Sequence, residues 1–107
     1  MKHNKIIDCL EDKLKLENLN MVFGRNEEYD IKMGHGEIDL YMLNPKFKKS
    51  KVFEIKTNDS EVNKEKALHQ LYKDKKYMLE FYNIDNVKTY YVFSVNERII
   101  IEQQHIE

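Results

Sequence analysis

Residues 36–58, GEIDLYMLNPKFKKSKVFEIKTN, decide how this chain is read. Two stretches of alternating apolar and polar residues, Glu37 to Met42 and Val52 to Thr57, flank a linker that holds Asn44, Pro45 and several lysines. That pattern predicts a β-hairpin. Residues two apart on a strand share a face, so Glu37, Asp39 and Tyr41 are expected on one side, with Ile38, Leu40 and Met42 on the other. On the second strand Val52, Glu54 and Lys56 are expected opposite Phe53 and Ile55. Pairing about a midpoint between Lys46 and Phe47 sets Asp39 across from Glu54 and Glu37 across from Lys56. Directly opposed residues have Cβ atoms about 5 Å apart, so two carboxylates converge with a lysine beside them. Two such carboxylates without a counter-ion raise the pKa of one of them. Mg²⁺, held by one or two carboxylates and completed by water and phosphate oxygens, suits the arrangement, and Mn²⁺ is the alternative cation. A purely structural reading makes the same residues a strand pair with crossed charges, Glu37 bridging Lys56. Against it, Glu54 and Lys56 sit among Phe53 and Ile55, in a strand apolar enough to be central, where charges are seldom kept without a partner or a function.

An Asp after an apolar residue (Ile38-Asp39), a variable hairpin, and Glu54-Ile55-Lys56 on the next strand together resemble the signature of the PD-(D/E)XK nuclease superfamily. The GEIDL and FEIKT segments look most like its Holliday-junction-resolvase and YraN-like branches. The resemblance extends over residues 3 to 95, because an amphipathic helix precedes the hairpin and a helix carrying Gln70 follows it. It implies an α/β (α+β) protein with a restriction-endonuclease-like α-β-β-β-α-β core, in which helices flank a mixed sheet of four to five strands. It also implies that Asp39, Glu54 and the carbonyl of Ile55 hold one or two Mg²⁺ or Mn²⁺ ions, while Lys56 orients or helps deprotonate the attacking water and stabilises developing charge. Members of the family often carry a glutamate on the first helix that reaches the metal or its waters. Glu11 is the matching position and Glu17 its competitor; a salt-bridged or solvated glutamate is the structural alternative for either. Gln70 is expected either to contact a metal-bound water or phosphate or to be an exposed helical glutamine. In RecB-like relatives that helix carries Gln-x-x-x-Tyr. Here position 74 is Asp, which points away from that branch.

The chain has 107 residues and a mass of 13.0 kDa, which suits a single domain over residues 1–107 that buries roughly two-thirds of its unfolded surface. One cysteine, Cys9, rules out an intrachain disulfide and fits a reducing compartment. No apolar run approaches the roughly 18 residues of a membrane span, and MKHNKIIDCLED lacks the apolar core of a signal peptide, so a cytoplasmic protein is expected. A net charge of −1 argues against coating DNA by bulk electrostatics. Local clusters matter more. Lys46, Lys48, Lys49 and Lys51 crowd the hairpin tip, and Lys64, Lys66, Lys73, Lys75 and Lys76 decorate the following helix. These lysines either straddle a phosphate backbone or blunt an exposed hairpin and solvate a helix. Arg25 and Arg98 are the only arginines. Arginine supplies the commonest bidentate contact to guanine, so backbone or shape recognition is favoured over base reading.

Along the rest of the chain, residues 3 to 19 read as a helix whose apolar face is Ile6, Ile7, Leu10 and Leu14. Asn20 to Arg25 reads as a strand broken at Gly24, and Glu28 to Lys32 as its continuation. A Gly34-His35-Gly36 turn follows, with His35 near the site. Asn58-Asp59-Ser60 caps a helix over Glu61 to Tyr82, with Ala67, Leu68, Leu71, Tyr72, Met78, Leu79 and Tyr82 as its buried stripe. Val87 to Val95 and Arg98 to Glu102 read as a closing strand pair in which Tyr90, Tyr91 and Phe93 are core. The function expected from this chemistry and resemblance is a Mg²⁺-dependent endonuclease hydrolysing DNA, structure-selective toward branched DNA such as a Holliday junction, and working as a homodimer because two equivalent cuts need two sites. The alternatives are a repair or mobile-element nuclease acting on single strands or ends, and a catalytically silent relative that binds nucleic acid or protein.

Overall fold

The computed structural model describes residues 1–106. In chain order it contains α1 (His3–Glu17), β1 (Val22–Ile31), β2 (Gly34–Asn44), β3 (Lys49–Ile55), α2 (Glu61–Tyr82), β4 (Asn86–Val95) and β5 (Arg98–Gln104). The five strands form one mixed sheet in the order β1-β2-β3-β4-β5. Only β3 and β4 run parallel, and α2 makes the crossover that a parallel pair requires. The expected α/β class, with helices flanking a mixed sheet, is therefore what the chain adopts. No helix is long and apolar enough to cross a membrane.

Each sheet face is covered by one helix. α1 buries Ile6, Ile7 and Leu10 against Leu40, Met42, Phe53, Ile55 and Val92. On the other face, α2 packs Leu71, Tyr77 and Met78 against Ile38, Tyr41, Leu43, Val52 and Val87. Where the helices lie over them, β2 and β3 are apolar on both sides. Their register follows the hairpin symmetry, with Leu40 opposite Phe53, Tyr41 opposite Val52 and Asn44 opposite Lys49. α2 begins where the Ser60 hydroxyl accepts the Asn63 N–H at 3.1 Å, satisfying one of the open donors of the first turn. It ends where Asn83 turns left-handed (φ 55°) and donates its N–H to Met78.

Three local expectations change. β1 runs unbroken through Gly24, because the glycine lets the ring of Tyr41 lie across it on the paired strand: a Cβ there would stand 2.2 Å from Tyr41 Cζ. Gly34-His35-Gly36 is the start of β2 rather than a turn, and the tight turn falls at Lys32-Met33 with Gly34 at φ 116°. The buried stripe of α2 is Ala67, Leu71, Asp74, Tyr77 and Met78, and Leu79 is exposed.

Candidate active site

Simple alternation fails at one point on β2, and the site is built there. Leu40 packs on the α1 side while Ile38 packs on the α2 side, although two positions apart should mean one face. β1 turns over at the same level. Arg25 reaches Asp8 and Glu11 of α1, whereas Glu27 reaches Tyr77 and Tyr82 of α2. Between them Asn26 is left-handed (φ 53°), a conformation asparagine tolerates better than most residues. Ile38 thus joins the face of Tyr41, contrary to the expectation from spacing.

At this level β2 and β3 part. Their ladder ends at Leu40 and Phe53, and the Asp39 carboxylate enters the gap, where its Oδ2 accepts the N–H of Ile55 at 2.8 Å. On an extended residue the N–H and C=O point to the same side. The Ile55 carbonyl is therefore also directed toward the gap beside Asp39, while the next N–H, of Lys56, turns the other way to Val92 on β4 at 2.8 Å.

Glu54 lies on the α2 face of β3 and is only 4 % exposed. Its Oε2 has no hydrogen-bond partner. Burial raises its pKa well above the ordinary carboxylate range, and the Asp39 carboxyl and the charge of Asp74 push the same way; the nearby Lys56 ammonium opposes them. Lys56 is half-buried and joins no ion pair among the described residues, so the crossed-charge bridge between Glu37 and Lys56 does not form.

Behind Glu54 stands a group that the sequence marked only as a departure from Gln-x-x-x-Tyr, not as part of the site. Asp74 of α2 is fully buried, and its Oδ1 accepts the Tyr29 hydroxyl at 2.6 Å and the Gln70 amide at 2.7 Å. Gln70 also donates to the Tyr29 oxygen at 3.1 Å. Asp74 Oδ2 has no partner. Burial raises the Asp74 pKa to about 7, against the pull of the Tyr29 and Gln70 hydrogen bonds. Tyr29 reaches this position because Gly36, its partner on β2, has no side chain: a Cβ there would stand 2.4 Å from the tyrosine Cζ.

The structure brings Asp39, Glu54, Ile55 and Lys56 together, and Gln70 with them as part of the Tyr29 and Asp74 network rather than as an exposed glutamine. Glu11 does not join them. Its carboxylate is held by Lys15 at 2.6 Å and Arg25 at 3.4 Å, since α1 covers the opposite face of the sheet. The α1 residue that does approach is His3, whose Nε2 lies 3.4 Å from Asp39 Oδ2. Glu17 is exposed at the last turn of α1. His35 lies toward the far tip of the β1–β2 hairpin, with its imidazole against Asp30 and Glu28. Lys46, Lys48 and Lys49 are exposed at the β2–β3 turn, and Lys49 is five residues from Glu54, about 16 Å along an extended strand. Lys66 is exposed on the first half of α2. Lys73 spans to the β1–β2 hairpin, donating to the His35 carbonyl at 2.7 Å.

No protein-family model, curated protein or solved structure matches the chain. Whether a divalent cation fits is decided by the donors themselves. No group of three or more His, Cys, Asp and Glu side chains closes into a ligand set among the described residues. What the site offers is two carboxylates, a backbone carbonyl and buried carboxylate oxygens without a donor on Glu54 and Asp74. That all-oxygen set suits Mg²⁺ or Mn²⁺, which keep several waters and use few protein ligands.

Proposed function

We propose that the chain is a divalent-cation-dependent nuclease of the PD-(D/E)XK type that hydrolyses phosphodiester bonds in DNA. The observation that carries this reading is Glu54: a buried carboxylate with a partnerless oxygen, beside Asp39, where the β2–β3 ladder opens. A buried acid left so costs stability unless something positive is bound. Asp39, Glu54 and the Ile55 carbonyl would hold the cation, with Asp39 fixed by the Ile55 N–H. An ion held there would supply polarisation of the phosphoryl oxygen and would lower the pKa of a water enough for it to attack as hydroxide. Lys56, on the face of Glu54 and free of any ion pair among the described residues, orients that water and offsets the negative charge that develops on the phosphoryl group. The new bond forms from the water oxygen to phosphorus as the bond to the leaving sugar oxygen breaks. Tyr29, Gln70 and Asp74 form the wall against which Glu54 is held.

The scarcity of arginine supports selection by shape rather than by base, hence branched or structured DNA as substrate, cut by a symmetric homodimer in the cytoplasm. The test is cleavage of four-way junction, flap, single-stranded and linear duplex DNA with Mg²⁺ or Mn²⁺ against EDTA. Paired nicks in the junction, absent with EDTA and in Glu54→Ala, are expected. Full activity in a purified Lys56→Ala protein would overturn the assignment. Binding without turnover under both metals would replace it with a catalytically silent nucleic-acid-binding relative.

A further inference from the structure

A polar cavity lies on the α1 face of the sheet. It has a volume of about 250 Å³ and is lined by Lys49, Lys51 and Lys88 together with Asn44, Asn86 and Met42. Its place follows from strand alternation. Lys51 is two residues before Phe53 and Lys88 two before Tyr90, and both aromatics pack on the α1 side. α1 has only 15 residues and covers the end of this face nearest the carboxylates. The other end is left open.

The charges there are arranged against the chain's own stability. Lys51 stands directly across from Lys88 on the parallel β3–β4 pair, and Lys49 is the cross-strand partner of both Asn44 and Asn86. Like charges opposed on neighbouring strands destabilise a sheet. None of the three lysines joins an ion pair among the described residues, and no carboxylate lines the cavity. The C-terminal end of α1 is close, with Asn18 in the lining, but a helix end carries about half a negative charge against three ammonium groups. The Asn44 side-chain oxygen Oδ1 accepts the Phe47 N–H at 3.3 Å, which leaves its NH₂ free to donate. In the adjoining β2–β3 turn Phe47 is 62 % exposed with Lys46 over its ring, and in the cavity Lys51 lies 5.8 Å from the centre of the Tyr90 ring. Ammonium groups and amide donors lining one cavity, with an exposed aromatic in the neighbouring turn, match what a sugar-phosphate backbone presents.

We propose that this cavity is a second nucleic-acid site, one that binds backbone phosphate through Lys49, Lys51, Lys88 and the Asn44 amide, on the side of the sheet away from Glu54. The choice of nucleic acid as ligand rests on the nuclease reading. A straight duplex lying on one face cannot reach the other, so a substrate that engages both must bend, branch or offer a flexible strand. That gives the selectivity for branched DNA a physical origin outside the catalytic carboxylates.

The experiment is binding of a fluorescent four-way junction in EDTA, where no cleavage occurs, across a series of salt concentrations. Lys51→Glu/Lys88→Glu is expected to weaken binding at least tenfold. Lys51→Gln/Lys88→Gln, which keeps side-chain bulk and removes the repulsion, is expected to weaken it less, to lower the slope of log affinity against log salt by about 2, and to melt no lower than the parent. Amide shifts on titration with inorganic phosphate are expected to centre on Lys51, Asn86 and Lys88. Unchanged affinity and salt slope in the glutamine pair would overturn the site. So would phosphate shifts at these residues without any loss of junction affinity, which would make it a pocket for a free anion. Loss of binding in the lysine variants alongside a wild type that cleaves nothing would uphold the site and remove the nuclease.

Discussion

Two acidic clusters lie on the α2 face of the same sheet, and they are built in opposite ways. Glu27 receives three phenols: Tyr41 at 2.7 Å, Tyr77 at 2.6 Å and Tyr82 at 2.9 Å. Both of its oxygens are occupied, and burial together with the carboxylate raises the pKa of Tyr41 and Tyr77. Nothing further is needed to hold that charge. Around Glu54 the count is reversed. Three carboxyl groups, those of Asp39, Glu54 and Asp74, share the donors of Tyr29, Gln70 and the Ile55 N–H, with the His3 imidazole 3.4 Å from Asp39, and two buried oxygens have none. Glu27 carries its donors with it, whereas the acids around Glu54 lack them, and the proposed cation would offset that lack.

The largest expected effect follows from that contrast. Glu54→Gln should lower cleavage by at least about 10³-fold, roughly 4 kcal/mol of lost transition-state stabilisation, while the metal-free protein becomes no less stable because a buried acid is gone. Single-turnover rates and urea melts in EDTA check both halves. A variant that loses stability as well as activity would place Glu54 with Glu27 among the structural acids.

Next in size is the pH dependence of the metal-free protein. The Asp74 pKa is about 7 in the folded chain against 3.8 for the unperturbed group. Between those values the folded state holds a proton that the unfolded state releases. Its contribution is fully present below about pH 4 and is lost as pH rises to 7, worth roughly 4 kcal/mol at 1.36 kcal/mol per unit. Glu54, also raised, adds a change of the same sign. Asp74→Asn, which can still accept from Tyr29 and Gln70, should flatten the curve. Denaturant midpoints in EDTA from pH 4 to 8 would show it, and a parent protein whose stability climbs over that range would refute it.

How much of this the sequence disclosed depends on how local the cause is. The β2–β3 register and the start of α2 were legible, because apolar alternation pins a hairpin to one register and Asn58-Asp59-Ser60 marks where the helix begins. The turnover at Asn26 and Asp39 was not. Alternation assumes a regular strand, and it placed Ile38 on the wrong side. Glu11 sat at the border of the apolar arc of α1, but periodicity does not tell which sheet face a helix covers; Arg25 and Lys15 hold it away from the carboxylates, and His3 approaches instead. Asp74 did leave a signal. It falls on the stripe of Ala67, Leu71 and Met78 at helical spacing, and a charged residue on a buried stripe is itself the anomaly to pursue. The three phenols on Glu27 come from residues 14 to 55 positions away, a distance over which spacing says nothing.

Third comes the structural acid. Glu27→Ala leaves three largely buried hydroxyls without their acceptor and should cost about 3 kcal/mol, with no change in the metal dependence of stability. In the parent chain Mg²⁺ at ten times its dissociation constant should raise stability by about 1.4 kcal/mol. Thermal melts of the Glu27→Ala protein with and without Mg²⁺ should therefore show a lower baseline and the same increment. An increment that vanished would mean that the two clusters are one site.

The smallest effect separates the clusters most finely, because each depends on a tyrosine that lies over a glycine. Gly36→Ala sets a Cβ 2.4 Å from Tyr29 Cζ, and Gly24→Ala sets one 2.2 Å from Tyr41 Cζ. Neither ring can retreat freely: Tyr29 stacks on Tyr77 at 4.2 Å, and Tyr41 is held by Glu27. Each substitution should cost about 2 kcal/mol from overpacking. The consequences then diverge. Displacing Tyr29 removes a hydrogen bond that lowers the Asp74 pKa, so Gly36→Ala should extend the loss of stability to higher pH. Displacing Tyr41 leaves Glu27 with Tyr77 and Tyr82, so Gly24→Ala should shift the whole curve down without changing its shape. Equal shapes in the two variants would mean that Tyr29 is packing alone and that Asp74 does not depend on its hydroxyl.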